Sequence, residues 1–250
     1  MSDRELPRWL LPLGTFLFRH RNWVFPLVFL ALVGTTRPAL FRGNVLWDRW
    51  LDAVGVLLAL GAQLLRAAVI GLAYIRRGGL DKRVYADSLV TTGLFAHSRN
   101  PLYLANYLAI VGLLVIHHAL LAYLVGIPFF TLAFVAMVAA EEDFLRRRFG
   151  AEYEAYVRAV PRFHLRLAGL GRTLRSMPFD WRKLLRKEYG STFSGTTAII
   201  GLLLWEAYRQ GGAAALRARI DVLGPLWAVL VILYLVAFTL KKSGVLGRAY

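Results

Sequence analysis

Long apolar segments alternate with short charged ones along the chain, and this pattern predicts membrane-spanning helices. A transmembrane helix needs about 20 mostly apolar residues. The uncharged stretch 102–140 would extend about 58 Å as one helix, so we expect two spans that turn at His117-His118. The other candidate spans are residues 23–40, 50–75, 194–208 and 222–240. The predicted fold is therefore an all-α, polytopic transmembrane bundle of about six spans.

The positive charges predict the orientation of these spans, because short cytoplasmic loops are enriched in Lys and Arg. Of the 31 Lys and Arg residues, 24 fall in the termini and loops that six spans would place on one side. We therefore expect an integral protein of a bacterial-type inner membrane, with both termini and the active site in the cytoplasm. Arg66 lies inside the second span and could either snorkel to the surface or bind substrate. The fifth predicted span is short and contains Glu206.

The overall composition favours a membrane partner over nucleic acid. The chain is 58% hydrophobic and carries a net charge of +16, and a soluble domain of this size would be less apolar. A basic protein with such long apolar segments is expected to contact anionic lipids. The absence of cysteine excludes disulfides, thiolate metal sites and cysteine nucleophiles.

Changes in composition divide the chain into five regions. Residues 141–163 predict a cytoplasmic helical segment after the fourth span, since aromatic side chains recur there at helical spacing. Residues 164–193 alternate basic and apolar side chains, as in a segment lying on a membrane surface. The regions are an interfacial segment 1–22, two spans 23–85, a core 86–163, a surface segment 164–193 and a C-terminal pair of spans 194–250.

The start of the predicted third span has the pattern of an anion-binding helix terminus. Asn100 stands where a cap is favoured, and Pro101 where the first helical residue is favoured. The unpaired amides of such a terminus attract a carboxylate or phosphate, and Arg99 adds a fixed positive charge. The simpler alternative is that this motif only begins a transmembrane helix.

Three acidic residues, Glu141, Glu142 and Asp143, end the predicted fourth span. Four-residue spacing predicts ion pairs of Glu142 with Arg146 and of Asp143 with Arg147. Carboxylates beside an apolar span are costly and are functional candidates by default. We expect a functional role for at least one of the two glutamates.

The histidines carry less information. His117-His118 falls at the predicted outer turn, and adjacent histidines point to different helix faces, so we expect interfacial side chains and no metal site. His97 could act as a base, although an exposed loop histidine is the favoured interpretation.

Several of these pieces occur in an order that resembles the isoprenylcysteine carboxyl methyltransferase family, which is related to the membrane phospholipid N-methyltransferases. The resemblance covers about residues 86–163. It rests on Leu89-Val90-Thr91-Thr92-Gly93-Leu94-Phe95, Arg99-Asn100-Pro101-Leu102-Tyr103, Glu141-Glu142-Asp143-Phe144-Leu145, Phe149-Gly150, Tyr153, Tyr156 and Val160-Pro161-Arg162. The chain departs from the family at Asn100, where His is usual, and at Ala105, where Gly is usual.

The resemblance implies an integral membrane enzyme that uses S-adenosylmethionine. The residues that would bind this cofactor are Ser88, Leu89, Val90, Phe95, Asn100, Pro101, Leu102, Tyr103, Glu141 and Glu142. The candidate catalytic residues are Arg99, Tyr103, Glu142 and Arg162. Asn100 in place of His argues against proton transfer at that position.

The methyl acceptor stays open at this stage. We expect a lipid or another hydrophobic molecule that offers a carboxylate, phosphate, amine or thiol. A sterol-reductase-like enzyme that uses NADPH and a non-enzymatic membrane protein are the alternatives from other classes.

Overall fold

The computed structural model describes residues 6–39, 43–72 and 86–246, and all regular secondary structure in these ranges is helical. The prediction of an all-α fold is confirmed. A short 3-10 helix, Gly93–Ala96, precedes the third helix, and a π-helical turn, Ala122–Gly126, leads into the fourth. The α-helices are α1 (Leu10–Thr35), α2 (Val45–Leu72), α3 (Pro101–His117), α4 (Ile127–Phe149), α5 (Ala151–Ala159), α6 (Leu170–Ser176) and α7 (Trp181–Lys242).

Four helical stretches in the described part of the chain are long and apolar enough to cross a membrane. They are α1, α2, the continuous stretch Ala122–Phe149 and α7. The apolar helix α3 is shorter, with 17 residues. Helix α1 begins at Leu10, so most of the predicted interfacial segment 1–22 is continuous with the first span. The predicted end of the second span, at residue 75, lies outside the described residues.

The turn predicted at His117-His118 is present. Helix α3 ends at His117, and His118 has a φ of 29°, which reverses the chain direction. Helix α2 packs mainly on α3, and α1 packs mainly on α4. The uncharged stretch thus folds back on itself as its length requires.

Helix α7 is a hairpin of two helical arms. Its backbone leaves helical geometry at Gly212, where φ is 66° and ψ is −157°, a conformation open essentially to glycine alone. The arms then face each other, because Trp227 donates a hydrogen bond of 3.2 Å to Thr197, and the Tyr189 and Tyr234 rings lie 5.3 Å apart. The predicted spans 194–208 and 222–240 lie on opposite arms, and the total of six spans stays a prediction.

Glycines allow the closest helix contacts. Gly55 on α2 and Gly112 on α3 face each other, and a Cβ added to either would lie 2.7 Å from the other's carbonyl oxygen. In contrast, a Cβ on Gly61 would meet no atom within 4 Å. Small residues at such crossings let helix backbones approach closely in membranes. The α2–α3 pair is therefore fixed in register at this contact.

The segment after α5 combines exposed and packed parts. None of the side chains of α6 is buried, and Trp181 and Leu167 are exposed. Phe179 nevertheless packs against Gly71 of α2. Asp180 caps α7 by accepting a hydrogen bond of 2.9 Å from the Lys183 amide.

Candidate functional site

A cavity of about 1000 Å³ lies between α1, α2, α3, α4, α5 and the first arm of α7. Nine of the ten residues expected to bind the cofactor line it, together with Arg99. Glu142 and Arg162 do not line it. The nine are Ser88, Leu89, Val90, Phe95, Asn100, Pro101, Leu102, Tyr103 and Glu141.

The N-terminus of α3 opens onto this cavity. Asn100 occupies the cap position and Pro101 the first helical position, as predicted. The Asn100 side chain does not cap the helix amides, because its Nδ2 donates a hydrogen bond of 3.2 Å to the Arg162 carbonyl oxygen. Helical bonding begins with the Leu104 amide, which donates to the Asn100 carbonyl oxygen over 3.0 Å. The backbone N–H groups of Leu102 and Tyr103, in the first turn of α3, therefore have no partner within the helix.

Behind this terminus, one buried carboxylate holds two arginines. Glu142 pairs with Arg99 over 3.1 Å and with Arg162 over 3.0 Å. Arg99 also donates hydrogen bonds to the carbonyl oxygens of Val157 and Val160. The three side chains are almost fully buried and together keep one net positive charge. This triad connects the start of α3, the end of α4 and the bend that follows α5.

Of the two ion pairs predicted along α4, one is confirmed and the other is wrong. Asp143 and Arg147 form the predicted pair at 2.7 Å. The predicted Glu142–Arg146 pair is wrong, because Glu142 faces inward to the triad and Arg146 pairs with Glu154 of α5 over 2.9 Å. The tertiary contacts outcompete the local helix spacing here, since a buried carboxylate requires closer neutralisation than an exposed one.

Glu141 points in a different direction from Glu142. It lines the cavity, and the Tyr103 hydroxyl is close enough to act electrostatically on its carboxylate. Arg21 of α1 is close enough to act electrostatically on both groups and also lines the cavity. The sequence left open which glutamate contacts the cofactor, and of the two only Glu141 borders the space that a ligand would fill.

Helix α5 closes the cavity with two tyrosines. Tyr153 and Tyr156 are buried, and burial raises the pKa of both hydroxyls above their ordinary range. They therefore stay protonated near neutral pH. The Tyr156 hydroxyl donates a hydrogen bond of 2.7 Å to the Phe95 carbonyl oxygen, which fixes the 3-10 helix against α5.

A second polar wall of the cavity surrounds Arg66. This arginine donates to Glu188 over 2.9 Å and also hydrogen-bonds Asn106. It does not snorkel to a surface. Sequence analysis missed Glu188, Asn106 and Arg21 as site residues, although an acidic residue just before a span was a usable signal for Glu188.

His97 is neither an exposed loop residue nor a cavity base. It is buried, its Nδ1 lies 2.7 Å from the Arg166 carbonyl oxygen, and its Nε2 lies 2.8 Å from the Thr173 hydroxyl. Both ring nitrogens are therefore occupied in joining the 3-10 helix to α6. The favoured prediction of solvent exposure is wrong.

The expectation of interfacial side chains at His117-His118 is also wrong. Both are buried. His117 Nε2 lies 2.6 Å from the Thr36 hydroxyl. His118 faces the opposite way, toward carboxylates of α2 and α7. The prediction that the two rings occupy different faces is confirmed.

Comparison with known proteins places this architecture in a family. A profile described as phospholipid methyltransferase matches residues 52–152, from α2 into α5. The chain belongs to the phospholipid methyltransferase family. This family is related to the isoprenylcysteine carboxyl methyltransferases, so the resemblance found in the sequence is confirmed. The methyltransferase match contains the start of α3 and both glutamates at the end of α4.

Two curated relatives are similar over a wider range. The nickel-cobalt-cadmium resistance protein NccN of Alcaligenes xylosoxydans xylosoxydans is 31% identical over 163 residues, which cover 63% of this chain and 70% of the relative. The cobalt-zinc-cadmium resistance protein CzcN of Cupriavidus metallidurans is 31% identical over 162 residues, covering 62% and 68%. No solved structure matches the chain significantly.

Proposed function

We propose that this chain transfers a methyl group from S-adenosylmethionine to a lipid or another hydrophobic acceptor within the membrane. The observation that carries the proposal is that nine predicted cofactor residues line one cavity, in a chain of the phospholipid methyltransferase family. The residues from 86 to 103 and from 141 to 156 are far apart in sequence, and the fold gathers them around one space.

The chemical character of the cavity wall fits this zwitterionic cofactor. Uncapped amides at the start of α3, with the helix dipole behind them, favour a carboxylate. The net positive charge of the Arg99–Glu142–Arg162 triad strengthens that preference. Glu141 is suited to an ammonium group, and Tyr103 supplies a neutral hydroxyl beside it. These residues would bind and orient the cofactor.

Methyl transfer requires orientation and exclusion of water more than proton-transfer groups. When bound, the cofactor supplies an electrophilic methyl group, whose bond to sulfur breaks as a lone pair of the acceptor forms the new bond. The chain provides a mainly apolar surround, including Phe25, Phe134 and Met137. Protonated tyrosines of α5 would keep solvent away without competing as nucleophiles.

The size of the cavity supports a second substrate beside the cofactor. A volume of about 1000 Å³ is at the upper end of the range for small-molecule sites. The wall opposite α5 combines apolar side chains with Arg66, Asn106 and Gln63, which suits an acceptor with an apolar body and a polar reacting group. A prenylated cysteine carboxylate, a phospholipid amine, a lipid phosphate and a thiol all have this character.

Calorimetry on the purified full chain in detergent tests the cofactor. We expect binding of S-adenosylmethionine and S-adenosylhomocysteine and none of NADPH. Glu141→Gln should weaken S-adenosylmethionine binding about tenfold, because it removes the charge of one polar contact. Glu152→Gln, an exposed carboxylate on α5, serves as the matched control with unchanged affinity. Binding of NADPH instead, or of neither cofactor, would refute the proposal.

A radiolabelled methyl donor identifies the acceptor. The purified chain is incubated with extracted bacterial lipids, and the products are separated by head-group class. Label that appears in one lipid class, and is lost in the Glu141→Gln variant, supports a lipid acceptor. Label confined to water-soluble thiols or to protein would contradict it.

We infer that the cavity faces the cytoplasm, as the Lys and Arg distribution predicts. The chain has no cysteine, so single cysteines can report the side directly. A membrane-impermeant maleimide applied to intact cells should label Asn44→Cys, before α2, and leave Glu152→Cys, on α5, unlabelled until the cells are opened. The reverse pattern would invert the topology.

A contribution to tolerance of divalent metals is a second candidate, because both curated relatives are named as resistance proteins for cobalt and cadmium. Expression in a metal-sensitive bacterium should raise the tolerated cobalt concentration. If methyl transfer underlies the effect, Glu141→Gln should abolish it. Unchanged tolerance with the wild-type chain would remove this candidate.

A further inference from the structure

The end of α3 opposite the cavity carries a buried cluster of ionisable side chains that the proposed methyl transfer does not use. Three helices supply it. His118 follows α3, Asp48 and Asp52 lie near the start of α2, and Glu206 and Gln210 lie on the first arm of α7. The 17 residues of α3 separate this cluster from Arg99 and Asn100, at the other end of the helix, by about 25 Å.

The cluster has the geometry of a ligand set for one cation. His118 Nε2 lies 3.6 Å from Asp48 Oδ2 and 3.6 Å from Glu206 Oε1. One ligand atom from each of these three residues lies within 4.8 Å of the others. Two ligands about 2.1 Å from a tetrahedral metal ion are about 3.4 Å apart. Small side-chain movements would therefore bring all three atoms onto one ion.

Burial makes the cluster expensive without such an ion. The side chains of His118, Asp48 and Glu206 are only 2%, 3% and 6% exposed. Among the described residues, three atoms in the cluster have no hydrogen-bond partner: Glu206 Oε2, Asp52 Oδ1 and His118 Nδ1. Buried polar atoms are normally satisfied. Glu206 thus keeps one oxygen without a protein partner, while Asp52 Oδ1 and His118 Nδ1 face each other across 3.8 Å on the other side of the ring. Unpartnered atoms in a buried, mainly acidic cluster indicate a ligand that supplies positive charge.

The cations that act on Asp52 and Glu206 among the described residues do not balance three ionised carboxylates. His118 stands too far from either carboxylate for a hydrogen bond, at 3.6 Å. Arg219 is close enough to act electrostatically on Asp52 and Glu206. Three ionised carboxylates would still exceed one guanidinium and one imidazolium. Gln210 adds a neutral donor, whose Nε2 lies 3.1 Å from Asp48 Oδ2 and 3.5 Å from His118 Nε2 and which a bound ion would displace from that nitrogen.

We propose that Asp48, His118 and Glu206 bind a divalent transition-metal cation of the Zn²⁺, Co²⁺ and Ni²⁺ class. An imidazole nitrogen with carboxylate oxygens suits these ions, whereas an all-oxygen set would suit Mg²⁺ or Ca²⁺. Asp52 lies on the other side of the ring, with Oδ1 3.8 Å from His118 Nδ1. That is the place of a carboxylate that orients a metal-binding imidazole.

The sequence-based expectation against a metal site concerned His117 and His118 acting together. The proposed site uses His118 alone, while His117 is occupied by Thr36. Its other ligands come from helices that begin and end far away in sequence. The backbone at His118, with φ of 29°, directs the ring away from Thr36 and into the cluster.

Cobalt absorption tests the site directly. The full chain, purified without a histidine tag and stripped with a chelator, is titrated with Co²⁺. We expect visible d–d bands that saturate at one Co²⁺ per chain and disappear on addition of Zn²⁺. His118→Ala and Glu206→Gln should each weaken Co²⁺ binding at least about tenfold. His164→Ala, an exposed histidine outside the cluster, should bind as the wild type does.

A thermal-shift measurement keeps the test valid if a variant folds poorly. Zn²⁺ should raise the melting temperature of the wild type and of His164→Ala, because an ion that binds only the folded state stabilises it. It should not raise that of the near-isosteric Glu206→Gln. Absence of saturable Co²⁺ bands in the wild type, or equal binding by Glu206→Gln, would overturn the proposal. Neither readout depends on the methyl donor.

Discussion

The two ends of α3 resolve buried charge in opposite ways. At the cavity end, Glu142 is paired with two arginines at 3.1 and 3.0 Å, so its buried carboxylate is neutralised within the chain. At the far end, His118 and its neighbouring carboxylates stand 3.6 Å apart or more. The first arrangement is a structural support behind a binding cavity, and the second has the form of a binding site itself.

The comparison shows why burial alone does not identify a functional residue. Glu142 and Glu206 are both acidic, both helical and both nearly inaccessible. They differ in whether their oxygens have partners. An acidic residue that is ion-paired with arginines is expected to contribute to the stability of the fold. An acidic residue with an unpartnered oxygen is expected to contribute to ligand binding.

Removing the charge of Glu142 should produce the largest effect. Glu142→Gln leaves two buried guanidinium groups without their shared counter-ion, and loss of one partner of a buried ion pair costs about 3–5 kcal/mol. The free energy of unfolding, measured by denaturant titration in micelles, should fall by that amount. A loss below about 1 kcal/mol would show that the triad is not the structural support of the cavity end.

Widening the α2–α3 contact should have the next largest effect and should disturb both ends together. Gly112→Leu inserts a side chain where a Cβ alone would lie 2.7 Å from a backbone oxygen. Overpacking of this kind costs about 1–3 kcal/mol. Both S-adenosylmethionine affinity and Co²⁺ affinity should drop.

Gly61→Leu on α2 is the control for this change, because the added side chain meets open space there. It should leave stability and both affinities close to those of the wild type. Equal losses in the two variants would mean that the tight contact at Gly112 is not what aligns the two ends.

The smallest expected effect separates the adjacent histidines. Thr36→Val removes the hydroxyl that lies 2.6 Å from His117 Nε2, and loss of one such hydrogen bond costs about 1 kcal/mol. Thermal unfolding should show this modest loss, while Co²⁺ affinity should stay unchanged. A large fall in Co²⁺ affinity would assign His117 to the proposed metal site and would contradict the separate roles given to the two histidines.

Much of the fold could be predicted because the membrane imposes simple rules. The apolar pattern located the long apolar helices, the length of 102–140 required a turn, and His117-His118 marked where it occurs. The start of α1 at Leu10 was missed, because prolines and arginines near the N-terminus look unlike a span. Helix α1 begins in that region nonetheless, with Leu10 and Leu17 packed in the core.

The site was predictable as a list of residues and not as a set of contacts. Local motifs identified the start of α3 and the acidic end of α4. They could not show that Glu142 turns inward while Glu141 borders the cavity, since one residue along a helix changes the direction of a side chain by about 100°. The cluster at the far end of α3 could not be predicted from the sequence either. Its members come from α2, from α7 and from the residue that follows α3, and only the tertiary fold brings them together.

The hairpin at Gly212 has a consequence for how the protein is made. Its side-chain contacts with α2 and His118, among them Glu188 to Arg66, Gln210 to Asp48 and Glu206 near His118, lie on the first arm of α7. Ribosomes complete α1 to α4 before this arm exists. Until it docks, Arg66 lacks its acidic partner, so this charge inside α2 is neutralised only when α7 has folded onto the bundle.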